Sequence, residues 1–433
     1  MGKGIAMKKS ALSSMGERSE APPISWLMEI ALSRPELISL AAGFTDSESL
    51  PVKDVRRLIE EVLSRKASAR AALQYGSTAG DLELRRLTAQ SVEEADTGKT
   101  GGALRAAYAQ EKVVVTNGSQ QLLYLVTEGL CDPGDIVLVE DPTYFVYLGI
   151  AQSRGLDCRG IAMQEDGLDL DRLAAVLESL KDSGDLPRVK MLYLVSYFQN
   201  PSGITTRFAK KAAALQLLRR YEKAAGHPIY LLEDAAYRHL RFKGSDEKSA
   251  LAARGFADRV IYTSTYSKPF ATGIRVGYGI LPEPIYTVVL RLKGNHDFGT
   301  ANLLQQVIIR AITSGRLAKQ VEEIQELYGR KARVMLKALR KYFPPGVHWV
   351  QPAGGLYVWV RLPESISSGP RSKLFERALD NNVLYVPGSL CYAEDATRPK
   401  SDCEMRLSFG NASAEDIRKG IKRLGRVVED LMG

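Results

Sequence analysis

A chain of 433 residues with 59 Lys+Arg against 50 Asp+Glu carries a formal charge of +9, and its 45% hydrophobic and 25% charged residues are the composition of an ordinary globular protein. That length admits two or three domains and a core that needs no disulfide or metal staple, which excludes the disordered and miniprotein classes. Cys131, Cys158, Cys391 and Cys403 form no CxxC pair, so neither a zinc centre nor a disulfide framework is expected.

Residues 1–23 mix Gly, Lys, Ser and Glu and end in Pro22-Pro23, which reads as a flexible arm with structure beginning near Ile24. The opening MGKGIAMKKS has no uninterrupted apolar signal core, and Ala6 stands where a myristoylation pattern wants Ser or Thr. No apolar run approaches the roughly 18 residues of a membrane span. A cytoplasmic protein without a membrane partner is expected. The segment GFTDSESLP at 43–51 reads as a loop entering a site.

From residue 112 onward short β-rich runs alternate with helical stretches: KVVV at 112, IVLV at 136, MLYLV at 191, IYLL at 229, RVIYT at 259 and VGYGI at 276. That rhythm predicts an α/β fold with a mostly parallel sheet. After about 320 follow a long helical stretch, strands at 355–361 and 404–409, and a last helix after Asn411. The expected division is a large domain over 66–319 and a smaller α+β domain made from 24–65 and 320–433. The basic pairs (Arg56-Arg57, Arg85-Arg86, Lys210-Lys211, Arg219-Arg220) are dispersed without a long block, so they read as solvated helix faces and no nucleic-acid partner is expected.

Five short motifs can carry chemistry. TNGSQQ at 116–121 joins a strand to a helix; Gly118, Ser119 and Gln120 there either offer a helix N-terminus to a phosphate or leave Ser119 as a plain cap. YFQNPSG at 197–203 follows a strand, and its Asn200 either reaches a ligand or only initiates an Asn-Pro turn. LLEDAAY at 231–237 delivers Glu233 and Asp234 to the carboxyl end of a strand, where ligands of open α/β sheets bind, with Tyr237 close behind. In TYSK at 265–268, Lys268 lies near Thr265 and seven residues before Arg275, a cation that would lower its pKa and free the amine as a nucleophile. RLSFG at 406–410 places Arg406 in a late strand, as a bidentate carboxylate clamp or as a structural ion pair.

In this order and at these structural places the five motifs resemble the fold-type I pyridoxal-phosphate aminotransferases, in the branch of the aspartate, kynurenine and aminoadipate enzymes, from about residue 24 to the C-terminus. The resemblance implies an aspartate-aminotransferase-like fold, pyridoxal 5′-phosphate as cofactor, no metal, and ping-pong transfer of an amino group between an amino acid and a 2-oxo acid. It makes Lys268 the Schiff-base lysine and proton shuttle, and Asp234 the partner of the pyridinium nitrogen. Asn200 and Tyr237 would bind the cofactor's phenolic oxygen, and Tyr144 of DPTY would stack on its ring. Gly118, Ser119, Gln120, Thr265 and Arg275 would hold its phosphate, and Tyr75 of QYGSTAG would reach the phosphate of a neighbouring subunit, which implies a homodimer. Arg406, with Asn200 and the backbone of Gly43, would bind the substrate α-carboxylate.

The chain departs from the family at Thr45 and Thr272, where proline is common. It also has Met28 before Glu29-Ile30, where some aminoadipate-type members carry arginine, so an apolar or aromatic substrate is expected. A lyase or cyclising synthase on the same scaffold is the alternative reaction. A cofactor-sensing transcription regulator would need a DNA-reading module, and only about twenty weakly structured residues precede the fold.

Overall fold

The computed structural model describes residues 11–98 and 105–433. The opening MGKGIAMKKS lies outside them.

The main sheet has eight strands. In spatial order they are Val113–Thr116, Gly277–Ile280, Val260–Thr265, Tyr230–Asp234, Val189–Val195, Ile136–Asp141, Asp157–Gln164 and Gly167–Leu168. The five consecutive strands from Val260–Thr265 to Asp157–Gln164 pair in parallel, as the alternation of strand and helix requires. Gly277–Ile280 runs antiparallel to both its neighbours, so VGYGI breaks the rhythm into which the sequence places it. It can do so because the Lys268–Arg275 connection is short and turns back on the preceding strand. Strands Val113–Thr116, Ile136–Asp141, Tyr230–Asp234 and Val260–Thr265 are buried along their whole length, and Val189–Val195 is buried except at Lys190, which is why they read as apolar runs rather than alternating ones. Asp157–Gln164 has no such run: only two of its eight residues are buried, and it carries Arg159 and Gly160, so it is not legible as a strand.

A second, antiparallel sheet orders His348–Trp349, Tyr357–Arg361, Glu404–Ser408 and Val386–Pro387. In the N-terminal segment Ile38–Ser39 pairs in parallel with Val383–Leu384 as a separate two-stranded sheet, and the Ser408 amide donating to the Leu40 carbonyl at 2.6 Å ties the segment to the antiparallel sheet. Helices Arg316–Tyr342 and Ala414–Met432 pack against each other beside this sheet.

The arm is not structureless. Ser13 caps a short helix, Ser14–Arg18, by accepting from the Gly16 amide. This helix lies on helix Phe145–Arg154, with Gln152 donating to the Arg18 carbonyl and Arg18 Nε to the Ser153 carbonyl at 3.4 Å. The next helix, Pro23–Ser33, begins on the second proline of the pair that reads as a breaker. Proline is favourable at the first helical position, where its missing N–H has no partner to lose.

Candidate active site

The register of the large sheet aligns several strand ends. Thr116 and Thr265 both stand opposite Gly277, and Val195 stands opposite Asp234. Above these ends lies a cavity of about 280 Å³ lined by Gly43, Gly118, Ser119, Gln120, Tyr144, Asn200, Asp234, Tyr237, Thr265, Lys268, Arg275 and Arg406. Twelve of the thirteen residues singled out in the sequence therefore converge. A larger cleft of about 1240 Å³, between residues 160–165, 348–351 and 398–404, shares no lining residue with it, and its cations Arg361, Arg398 and Lys400 are paired with Glu404, Asp141 and Glu394.

Lys268 Nζ donates to the Gly43 carbonyl at 3.0 Å and lies 5.8 Å from the centre of the Tyr237 ring. Burial holds its ammonium below the ordinary lysine value; Tyr357 opposes the shift and the positive charges of Arg406 and Arg275 add to it. A lysine in such surroundings is a better nucleophile at neutral pH.

Glu233 and Asp234 share a strand end but not a face, because successive strand residues point to opposite sides. Glu233 turns into the core, where it pairs with buried Lys211 at 2.9 Å and accepts from the Ala250 amide. Asp234 faces the cavity, accepting from the Ala236 amide at 3.0 Å and from the Tyr193 hydroxyl at 3.2 Å. Burial pushes its pKa up to about 6. The cavity carboxylate is thus short of a cationic partner, which the protonated ring nitrogen of a bound cofactor would supply.

Arg406 is 1% exposed. Its Nη1 donates to Asn200 Oδ1 at 2.7 Å and its Nη2 to the Ala41 carbonyl at 2.6 Å, while its Nε is buried without a partner. Tyr357 lies under the guanidinium, with its ring centre 4.2 Å away. No carboxylate of this chain pairs with Arg406 among the described residues, which removes the structural ion pair from its two readings. Asn200 Nδ2 in turn donates to the Tyr237 hydroxyl at 3.3 Å. The turn carrying Asn200 is held from beneath: Gln199 Nε2 donates to the Pro142 carbonyl and to buried Glu140, and its Oε1 accepts from the Ser202 amide. Burial pushes the Glu140 pKa up to about 8.

The anion-binding end is built on helix Gly118–Leu130. Its cap position is Asn117 and no side chain caps it, so Ser119 is not the cap and the first-turn N–H groups face the cavity end unsatisfied by side chains. Gly118 has φ +72°, and a Cβ there would stand 2.5 Å from Arg275 Nη2. Arg275 reaches the Asn117 carbonyl at 3.4 Å and Ser267 Oγ at 3.3 Å, and Thr265 Oγ1 donates to Ser267 Oγ at 2.9 Å. Glycine at 277 lets the strand press against this turn, since a Cβ would lie 2.4 Å from the Ser119 nitrogen.

The donor set fits pyridoxal phosphate: a lysine of lowered pKa, a carboxylate lacking a cation, a helix N-terminus with arginine and hydroxyls for a phosphate, and a buried arginine with an unused donor for a carboxylate. Tyr75 is the exception. It is 82% exposed and lies outside the cavity, and its ring packs edge-on against that of Phe298 at 5.3 Å.

Sequence reasoning missed Tyr357, whose hydroxyl is 3.1 Å from that of Tyr237, and also Ser267, Phe44 and Ile24, all in the cavity lining. Ser267 sits inside the TYSK motif and was within reach. Tyr357 lies in a strand of the other sheet and carries no motif.

The family described as aminotransferase class I and II matches residues 35–424. An uncharacterized aminotransferase of Saccharolobus solfataricus is 34% identical, over 91% of this chain and 92% of its own length. Aromatic-amino-acid aminotransferase 1 of Thermococcus litoralis is 33% identical, over 92% and 89%. Among solved structures, the kynurenine aminotransferase of Pyrococcus horikoshii, in complex with PMP, superposes with a TM-score of 0.87 at 31% identity, covering 98% of each chain.

Proposed function

The chain belongs to the class I and II aminotransferases, and from that premise we propose the roles of its residues and the kind of substrate it takes. It is a pyridoxal-phosphate-dependent enzyme that moves an amino group between an amino acid and a 2-oxo acid in two half-reactions. When bound, the cofactor supplies the electron sink and carries the amino group between them. Lys268 anchors the cofactor and moves the proton between the substrate Cα and cofactor C4′. Asp234 holds the proton on the ring nitrogen. Asn200 and Tyr237 donate to the phenolic oxygen, and Tyr144 covers the ring. Gly118, Ser119, Gln120, Thr265 and Arg275 hold the phosphate. Arg406, oriented by Asn200 and joined by the Gly43 backbone, clamps the α-carboxylate so that the Cα–H bond is aligned for cleavage.

The observation that carries this reading is the buried Arg406 guanidinium, charged, without a carboxylate partner and with a free Nε, in the same cavity as Lys268. Substrate side chains are apolar or aromatic. Ile24 and Phe44 line both the cavity and a small apolar pocket of about 80 Å³ that contains Met28 and no charged residue. The enzyme works as a homodimer, in which Tyr75, too exposed to serve its own site, completes the phosphate site of the other subunit. No described helix is long and apolar enough to cross a membrane, and the four free, buried cysteines suit a reducing cytoplasm. Residues 24–65 with 320–433 form the smaller domain beside 66–319.

Absorbance between about 320 and 450 nm, where the lysine-bound cofactor absorbs, tests the core of this reading. Purified protein is expected to be yellow, to lose that band on addition of leucine, methionine or phenylalanine, and to lose its lysine-linked band in Lys268→Ala. A protein still colourless after incubation with pyridoxal phosphate overturns it. Faster use of glutamate or 2-aminoadipate than of the apolar donors overturns the substrate class alone.

A further inference from the structure

The cations of this surface are not evenly neutralised. On most exposed helices they meet an acid one turn away: Arg56 with Glu60, Arg57 with Glu61, Lys319 with Glu323, Lys419 with Glu415. Residues 330–342 (RKARVMLKALRKY) instead carry six cations and no acid. Lys331 is buried and paired with Asp46, and Arg330 has Glu326 at 3.5 Å. Arg333, Lys337, Arg340 and Lys341 are exposed and form no ion pair among the described residues; the same is true of Arg418 on the helix packed alongside. The helix dipole accounts for cations in the last turn, such as Arg340 and Lys341, but not for Arg330, Arg333 and Lys337, which lie more than a turn from the end.

These side chains enclose a groove of about 520 Å³, with Arg330, Arg333, Lys337, Lys341 and Arg418 around it. Its deeper walls are Val334, Ala338 and Tyr342, which are buried or half-buried. A neighbouring groove of about 510 Å³ shares Arg333 and adds Lys243 and Arg340 beside Phe242. Neither contains a residue of the catalytic cavity. Along the helix the cations recur every turn over about 16 Å, a spacing that lets successive side chains meet successive phosphates of an extended strand.

Against the expectation drawn from the dispersed basic pairs, which left out the acid-free stretch 330–342, we propose that this groove binds single-stranded nucleic acid, its cations meeting the phosphates and Tyr342 with Val334 receiving the face of an unpaired base. Charge complementarity alone fits any polyanion. The apolar and aromatic lining selects among them, because an acidic polypeptide leaves it unused and a duplex keeps its base faces stacked inside, whereas a single strand offers both phosphate and base.

The test is fluorescence anisotropy of a labelled oligothymidylate of about fifteen nucleotides, titrated with the cofactor-loaded enzyme at several salt concentrations. Saturable binding is expected at low salt, near 50 mM, weakening steeply as salt rises. The triple variant Arg333→Gln, Lys337→Gln, Arg418→Gln is expected to bind at least ~10-fold more weakly, with the log–log salt slope reduced by about 2, at ~0.7 per lost phosphate contact. Tyr342→Leu is expected to bind ~5-fold more weakly with the slope unchanged, the loss of one base stack. Both variants are expected to keep wild-type transamination, which reports that they fold. No saturable binding at low salt overturns the proposal, and so does a triple variant that binds like wild type. Tyr342→Leu binding like wild type, with polyglutamate displacing the oligonucleotide, assigns the groove to an acidic polypeptide and overturns it as well.

Discussion

Asp234 is held as an anion that the cofactor-free fold does not favour. Its pKa in the folded chain is about 6, raised by burial from an ordinary 3.8, with the Ala236 amide and the Tyr193 hydroxyl acting against the shift. Between those two values the folded chain binds a proton that the unfolded chain has released, so cofactor-free protein gains stability as pH falls through 6. The cost of burying the anion is present in full above 6, and it is about 3 kcal/mol at most for a shift of that size. Asp234→Asn removes the charge and keeps an oxygen for the Ala236 amide. Cofactor-free Asp234→Asn is therefore expected to unfold at higher urea than wild type at pH 8, by 1–3 kcal/mol in order of magnitude, with the gap narrowing from pH 6 and closed below pH 4. Equal midpoints at both ends of that range would show that the carboxylate is not strained. Asp234 could be singled out in the sequence because a strand end is where α/β sheets bind ligands, but Glu233 shared that position. Only the alternation of side chains across the sheet separates them, and it depends on knowing which face Lys211 occupies.

At the scale of elements, the start of helix Gly118–Leu130 shows how a turn residue serves chemistry. A methyl group at 118 would meet the far end of Arg275, a flexible side chain that can move aside, while the positive φ costs about 1 kcal/mol for any residue with a Cβ. The overall fold should therefore tolerate Gly118→Ala. The cost falls on Arg275, which is displaced from beside the helix N-terminus. Gly118→Ala is expected to lower the melting temperature by only a few degrees but to weaken retention of pyridoxal phosphate at least ~10-fold, about the value of one charge-assisted hydrogen bond. Full cofactor retention through dialysis would refute that placement of the arginine. The turn was legible because Gly-Ser between a β-rich run and a helical one is a strong local signal. Asp157–Gln164 was not, because a partly exposed strand interrupted by Arg159 and Gly160 has no apolar period to read. The helix Ser14–Arg18 was hidden for a related reason: it is five residues long with none buried, and its order comes from contacts with helix Phe145–Arg154 that no local pattern announces.

The whole molecule explains the one motif residue that the fold leaves out of the cavity. Most of the twelve residues that meet in the cavity stand at or just beyond aligned strand ends of the large sheet, a juxtaposition that follows from the order of its βαβ units, while Gly43 comes from the N-terminal segment and Arg406 from the antiparallel sheet. Tyr75 lies before the first strand of the large sheet, and nothing in a single chain brings it to a phosphate. Its exposure beside Phe298, itself 59% exposed, leaves two large aromatic faces in water, which a second copy of the chain would cover. If Tyr75 serves the neighbouring subunit, two separately impaired variants should repair each other. Lys268→Ala lacks the lysine in its own site, and Tyr75→Ala spoils the site opposite. In a mixed dimer one site combines both defects, and the other has an intact lysine facing an intact tyrosine. Equal amounts of the two variants, unfolded together and refolded, are expected to recover about a quarter of wild-type turnover, since half the dimers are mixed and each has one complete site. Activity no higher than the average of the two parents would mean that Tyr75 acts within its own chain or not at all, and would leave the roles of Lys268, Asp234 and Arg406 untouched.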